Sequence, residues 1–227
     1  GVDEYGAFWG YKTDGLIQTQ EQLNAVKRAD FQPNAELGDV LFVDTNGDGK
    51  LDSSDRCMIG NPIPDIIYGI NMGMAWKGFD LNLQFGGTIG NQIFNAMRYY
   101  TYFPNDITNK DRALMNYWTP NNTNTDIPRL TATDVNDNDR FSDMYVENGT
   151  YFRLRNAQLG YTLPASLTQR IKLQKVRFYV SGQNLFTISS YSGMDPEVGQ
   201  SSSLSRGIDY GIYPQNISFT GGINVTF

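Results

Sequence analysis

Residues 217–227 read I-S-F-T-G-G-I-N-V-T-F. Ile217, Phe219, Gly221, Ile223, Val225 and Phe227 alternate with Ser218, Thr220, Gly222, Asn224 and Thr226. Successive side chains of a strand point to opposite faces, so this stretch predicts a strand with one apolar and one small polar face. Its length suits a tilted strand crossing a bilayer, which takes roughly 9–11 residues. Gly221 and Gly222 thin both faces, and a neighbouring side chain is expected to lie close there.

The same alternation recurs upstream. In 66–76, Tyr68, Ile70, Met72, Met74 and Trp76 oppose Gly69, Asn71, Gly73 and Ala75. Lys77-Gly78 is a tight-turn pair, and 79–88 follows with Phe79, Leu81, Leu83 and Phe85 opposite Asp80, Asn82 and Gln84. Trp76 and Phe79 stand where an interfacial aromatic girdle would lie. In 151–163, Ala157, Leu159, Tyr161 and Leu163 alternate with polar or small residues, but Phe152 to Arg155 break the pattern, as a bulge would. In 175–189, Val176, Phe178 and Val180 oppose Arg177, Tyr179, Ser181 and Gln183. The predicted fold class is all-β. The connections alternate short (Lys77-Gly78, 164–174) and long (89–150, 190–216), as in transmembrane barrels with short periplasmic turns and long extracellular loops. Five strands are too few to close such a barrel. The expectation is the C-terminal antiparallel strands of a large transmembrane β-barrel, with 1–65 as an extracellular region and 66–227 carrying the strands. A soluble, calcium-stabilised β-sandwich that binds carbohydrate or a protein partner is the alternative, and would bury the apolar faces against each other.

Composition agrees. The 227 residues include 14 Tyr, 13 Phe and 23 Gly, and the mean hydropathy is −0.43. That mixture favours short strands and turns over a helical bundle. The net charge is −6 without a basic cluster, so nucleic acid is not an expected partner. There is no His, which excludes His-based triads and His zinc sites. Cys57 is alone. No apolar run of about 18 residues occurs, which excludes a transmembrane helix and not a barrel.

In chain order, 19–29 is a helix candidate, with Thr19 and Gln22 as a capping box and Pro33 beyond its end. Residues 44–55 (D-T-N-G-D-G-K-L-D-S-S-D) have the ligand spacing of a calcium loop. The oxygen ligands fall on Asp44, Asn46, Asp48, the Lys50 carbonyl, Asp52 and Asp55, with Gly49 at the sharp turn. Hard oxygen donors suit Ca²⁺, the expected cofactor. Asp55 departs from the Glu usual at the twelfth position. The long 89–150 connection carries Tyr99, Tyr100, Tyr102 and Trp118, which are expected to pack the loop or contact a lid protein and are also the candidates for substrate contact, and 109–118 could form a short helix. No carboxylate pair is singled out by spacing, so no catalytic residue is assigned and an enzyme is not expected.

The segments G-Y-K-T-D-G-L-I-Q-T, L-G-D-V-L-F-V-D-T-N-G-D-G-K-L-D, I-G-N-P-I-P-D, Y-G-I-N-M-G-M-A-W-K-G-F-D-L-N-L-Q-F-G-G and Y-F-R-L-R-N-A-Q-L-G-Y-T-L-P, taken in order, resemble the C-terminal third of SusC/RagA-type TonB-dependent outer-membrane transporters of Bacteroidetes. The resemblance spans nearly the whole chain. It implies a 22-stranded barrel with an N-terminal plug that imports oligosaccharides, glycans or peptides across the outer membrane. It also implies TonB and a SusD-like surface lipoprotein as partners, and outer-membrane lipid around the barrel. Phe219, Ile223, Val225 and Phe227 would be the signal read by the outer-membrane assembly machinery.

Overall fold

The computed structural model describes residues 6–103, 109–198 and 205–227. The parts of the two expected loops at 104–108 and 199–204 lie outside these. The strands run in chain order as β1 (Phe8–Gly10), β2 (Thr13–Leu16), β3 (Val40–Phe42), β4 (Cys57–Gly60), β5 (Ile66–Trp76), β6 (Phe79–Ile89), β7 (Gln92–Asn95), β8 (Val146–Asn148), β9 (Tyr151–Thr162), β10 (Lys175–Ser189), β11 (Ile208–Asp209) and β12 (Ser218–Thr226). The helices are α1 (Gln20–Arg28), α2 (Ala96–Thr101) and α3 (Ala165–Thr168). None is long and apolar enough to cross a membrane. The fold is all-β and antiparallel in its main sheet, as the sequence predicted.

Two compact units emerge. The first is the sheet unit, from Pro64–Asn91, Asn148–Glu197 and Tyr213–Phe227. Its five long strands pair antiparallel in the order β12-β10-β9-β6-β5. This is the chain order, so each strand lies beside its predecessor and the sheet is an open meander with β5 and β12 at its edges. Each of the five spans differs by at most one residue per end from its sequence-expected range. Lys77 (φ 46°) and Gly78 (φ 87°) form the tight turn between β5 and β6. Both central residues are left-handed, which matches the twist of the strands they join.

The break at Phe152 to Arg155 is a bulge. Against β6, Gln84 pairs with Asn156 and Phe85 with Leu154, leaving Arg155 as the extra residue. Against β10, Asn184 (φ 53°) and Leu185 intervene between the partners of Asn156 and Leu154. The bulge shifts the parity of β9, so Phe152 and Leu154 rejoin the face that carries Ala157, Leu159 and Tyr161.

The second unit combines residues up to Ile63 with Gln92–Glu147 and Val198–Ile212. A division at residue 65 would separate segments that pack together here. Thr19 and Gln22 form the capping box of α1, which buries Leu23 beside Ile17 and Ala35. Trp118 packs with Tyr11, Leu16, Phe31, Val40 and Phe42. Tyr145 packs with Phe8, Ile59, Phe94 and Ala96. A buried polar clamp ties the long connection to β3. Asn138 Oδ1 accepts from Val40 N–H at 2.7 Å, and Gln32 Oε1 accepts from Phe42 N–H at 3.0 Å. Asp39 has no exposed surface and accepts from Arg129 Nε at 2.7 Å and Asn138 Nδ2 at 3.1 Å. Buried polar groups are retained when partnered in this way. The expected helix at 109–118 is a 3-10 turn, Arg112–Asn116, capped by Asp111.

Candidate functional site

The five-stranded sheet is a wall with two chemically distinct faces. On one face the registers align Trp76, Phe79, Tyr161, Phe178 and Ile223 in a cross-strand row. The next rows are aliphatic apart from Phe219 at the β12 edge: Met74, Leu81, Leu159, Val180 and Gly221, then Met72, Leu83, Ala157, Gly182 and Phe219. At the far end Tyr68, Phe85, Phe152 and Phe186 form a second aromatic cluster. Phe85 and Phe152 stack at 5.2 Å, and Phe186 sits 6.3 Å from Phe152. An aliphatic band therefore lies between two aromatic belts. Trp76 and Tyr68 are eight residues apart, roughly 27 Å along a strand, comparable to the roughly 25 Å apolar band of a barrel wall. This face is not covered: Trp76 is 68% exposed, Met74 58%, Val180 60% and Phe219 79%.

The other face is polar. Asn71, Gln84, Asn156 and Gln183 form one cross-strand row, and Asn82, Gln158, Ser181 and Thr220 the next. Closer to the turns, Arg177 Nε donates to Asp80 Oδ2 at 2.9 Å. Glycines on this face leave room for long neighbours. Asp80 and Arg177 lie across Gly160, the Tyr179 ring lies across Gly222, and Arg155 Nε is 2.7 Å from where a Cβ on Gly86 would stand. The close approach expected at Gly221-Gly222 is thus real at Gly222. At Gly221 only the Tyr179 carbonyl is near, at 3.9 Å.

At the loop end of the polar face, Arg153 is buried (2% exposed). It donates to Thr187 Oγ1 and Glu197 Oε2, both at 2.8 Å, and pairs with Asp195. Glu197 also accepts from Arg155 Nη2 at 3.1 Å. The second Asp195 oxygen accepts from Gln215 N–H at 2.9 Å, so one carboxylate joins both ends of the 190–216 connection. Burial pushes the Asp195 carboxyl up, but the Gln215 and Glu197 amides and the Arg153 guanidinium outweigh it and hold it below the usual carboxylate range. A depressed folded pKa gives stability that is complete above the unfolded value of about 3.9 and is lost as pH falls through the folded value. Amide exchange at Gln215 and Glu197, normalised to intrinsic rates, should be slow at pH 5 and accelerate below about pH 4.

The four candidate aromatics do not form one exposed platform. Trp118 is a core residue, 6% exposed, and its ring stacks over Gly38, so it cannot meet a ligand as it stands. Tyr99 packs on Phe94 and Tyr145, and Tyr102 lies under the Arg98 guanidinium at 4.8 Å. Only Tyr100 is exposed.

In the 44–55 loop the carboxylates face backbone amides. Asp44 accepts from Gly47 N–H (2.6 Å) and Gly49 N–H (2.9 Å), and Asp48 from Lys50 N–H (2.8 Å). Asp52 accepts from Ser54 N–H at 2.7 Å. Asp55 is fully buried and accepts from Thr45 N–H and Asp52 N–H, both at 3.0 Å. Asn46 donates through Nδ2 to Asp48. Among the described residues no group of three or more His, Cys, Asp or Glu is gathered as a metal site. The loop is self-capped in this geometry, and each bonded carboxylate oxygen keeps a second lone pair.

A TonB-dependent receptor P3 of Formosa agariphila is 38% identical over 98% of this chain, and a SusC of Bacteroides thetaiotaomicron is 29% identical over 87%. This chain belongs to the TonB-dependent receptors of the SusC and RagA type. It spans about a fifth of the length of the relatives it matches (22% of the first). A chain of the RagAB peptide importer superposes with a TM-score of 0.71 at 26% identity, covering 97% of this chain and 23% of that one. A second RagAB structure covers all of this chain with a TM-score of 0.73. No protein-family profile matches. In this receptor chain, sequence reasoning missed the Arg153 cluster, the polar clamp on β3 and the second aromatic belt. Only the broken alternation around Arg153 pointed toward the first.

Proposed function

We propose that this chain forms part of the barrel wall of an outer-membrane, TonB-dependent importer. The observation that carries the reading is the uncovered face of the five-stranded sheet, an aliphatic band bounded by two aromatic belts. Such a face meets lipid, while the opposite carboxamide and Arg–Asp face lines the lumen. The 1–65 region and the two long connections, 89–150 and 190–216, all attach at the strand ends opposite the Lys77-Gly78 turn, which supports an extracellular position for them. Oligosaccharides or peptides are the substrate classes, with neutral amides to hydrogen-bond them. A SusD-like lipoprotein is the proposed outer partner, TonB supplies energy, and of the four candidate aromatics Tyr100 is the accessible one for either ligand or lid. Phe219, Ile223, Val225 and Phe227 would serve barrel assembly. The wild-type protein should require detergent to remain monodisperse and should migrate differently on gels when heated. A monodisperse protein in plain buffer with a cooperative melt would favour the β-sandwich instead.

We further propose that Asp44, Asn46, Asp48, the Lys50 carbonyl, Asp52 and Asp55 hold Ca²⁺. The donor type and spacing support this, and binding would gather carboxylates that now cap amides. Calorimetry should detect Ca²⁺ at the roughly 0.1–1 mM affinity of extracellular modules. Asp44→Asn with Asp48→Asn should abolish it and expose 36–65 to protease. No heat of binding in the wild type would remove the site.

A further inference from the structure

The whole chain carries a net charge of −6, yet the sheet unit holds seven Lys and Arg residues against four Asp and Glu. The imbalance is concentrated at one end. Thr162 N–H donates to the Gly78 carbonyl at 2.8 Å and Gln174 N–H to the Thr226 carbonyl at 2.9 Å. The tight turn, the 163–174 connection and the last residues of β12 therefore share that end. It presents Lys77, Arg170, Lys172 and Lys175, all exposed. Its single acidic side chain, Asp80, is engaged by Arg177. The remaining acidic residues of the unit, Asp65, Asp195 and Glu197, lie at the other end of the strands.

Directly above the cations stands the aromatic row, with the Lys77 ammonium 4.8 Å from the centre of the Trp76 ring. Two to four residues further up the strands the apolar face is indented. Ala157, Gly182 and Gly221 form the floor of a shallow groove of about 390 Å³, walled by Leu81, Leu159, Val180, Leu185 and Phe219. Cations, aromatics and an aliphatic groove follow one another in the order of a phospholipid's phosphate, glycerol region and acyl chain.

We propose that this end of the sheet is a docking surface for anionic phospholipid, whose phosphate sits among Lys77, Arg170, Lys172 and Lys175 and whose acyl chain lies in the Ala157–Gly182–Gly221 groove. The proposal rests on the barrel-wall reading above. The cations supply headgroup selectivity, because a zwitterionic lipid offers them no net charge.

The test is native mass spectrometry of the complete receptor, delipidated and then titrated with phosphatidylglycerol or phosphatidylcholine. The wild type should retain phosphatidylglycerol about tenfold better than phosphatidylcholine, and raising salt toward 1 M should erase most of the difference. The K77Q/R170Q/K172Q/K175Q variant should lose that preference while keeping its phosphatidylcholine binding. Ala157→Leu, which fills the groove, should weaken both lipids. Equal retention of the two lipids by the wild type, at low and high salt, would overturn the proposal and needs no variant to fold. A wild type that stays monodisperse without detergent would instead defeat the barrel-wall reading itself.

Discussion

Replacing Arg153 with methionine should release the 190–216 connection from the barrel wall and cost about 3–5 kcal/mol, the scale of breaking a buried ion pair by removing one partner. Methionine keeps most of the volume, so the loss is electrostatic. Asp195 would stay 7% exposed with its guanidinium partner gone, and Glu197 would lose one of its two arginines. Thr187 on β10 loses a donor at the same stroke. The expected readouts are rapid proteolysis within 190–216 and faster exchange at Gln215, with the β5–β6 hairpin unaffected. An Asp195→Asn change should be milder, since its single amide oxygen can still accept from Arg153, while its NH2 would face the Gln215 N–H and that bond is lost together with the charge. Equal protease resistance of Arg153→Met and wild type would show that the cluster does not hold this connection.

Gly38→Ala should be nearly as damaging, for two reasons that add. Gly38 has φ 86°, where a Cβ costs roughly 1–2 kcal/mol. The added methyl would also stand 2.6 Å from Trp118 Cδ2, an overpacking worth about 1–3 kcal/mol. Gly38 and Trp118 join segments far apart in the chain, so the loss should loosen the whole 92–147 segment from β2 and β3. Trp9 and Trp76 are largely exposed and Trp118 is buried, so a red shift in emission would report its release. In a double-mutant cycle with Trp118→Leu, the steric part should vanish and the backbone part remain. An unshifted spectrum with unchanged melting would contradict the packing described here.

The sheet was legible because a two-residue period depends only on neighbours in sequence. Tyr68 through Trp76 and Phe79 through Phe85 declare their faces without knowledge of partners, and Lys77-Gly78 declares the turn. Even the bulge at Arg155 showed as a lapse in alternation. What was not legible depends on meetings between distant segments. Arg153 finds Asp195 and Glu197 through a loop of irregular sequence. Asn136 and Asn138 look like turn residues in D-V-N-D-N-D-R, yet they are buried beside Asp39 and Gln32. The sequence leaves Trp118 as a loop-packing, lid-facing or ligand-facing aromatic, and only the meeting with Gly38 selects the packing role. The 44–55 spacing was plain, but spacing alone does not orient carboxylates, and these face amides.

Whether the two faces of the sheet meet lipid and water is tested most directly by nitroxide labels placed singly at residues 69–75 in a Cys57→Ser background, with the receptor reconstituted in bilayers. Collisions with oxygen, which concentrates in lipid, should peak at 70, 72 and 74. Collisions with a water-soluble nickel chelate should peak out of phase, at 69, 71, 73 and 75. Labels at 70, 72 and 74 shielded from both reagents would place Ile70, Met72 and Met74 in a protein core and contradict the barrel wall.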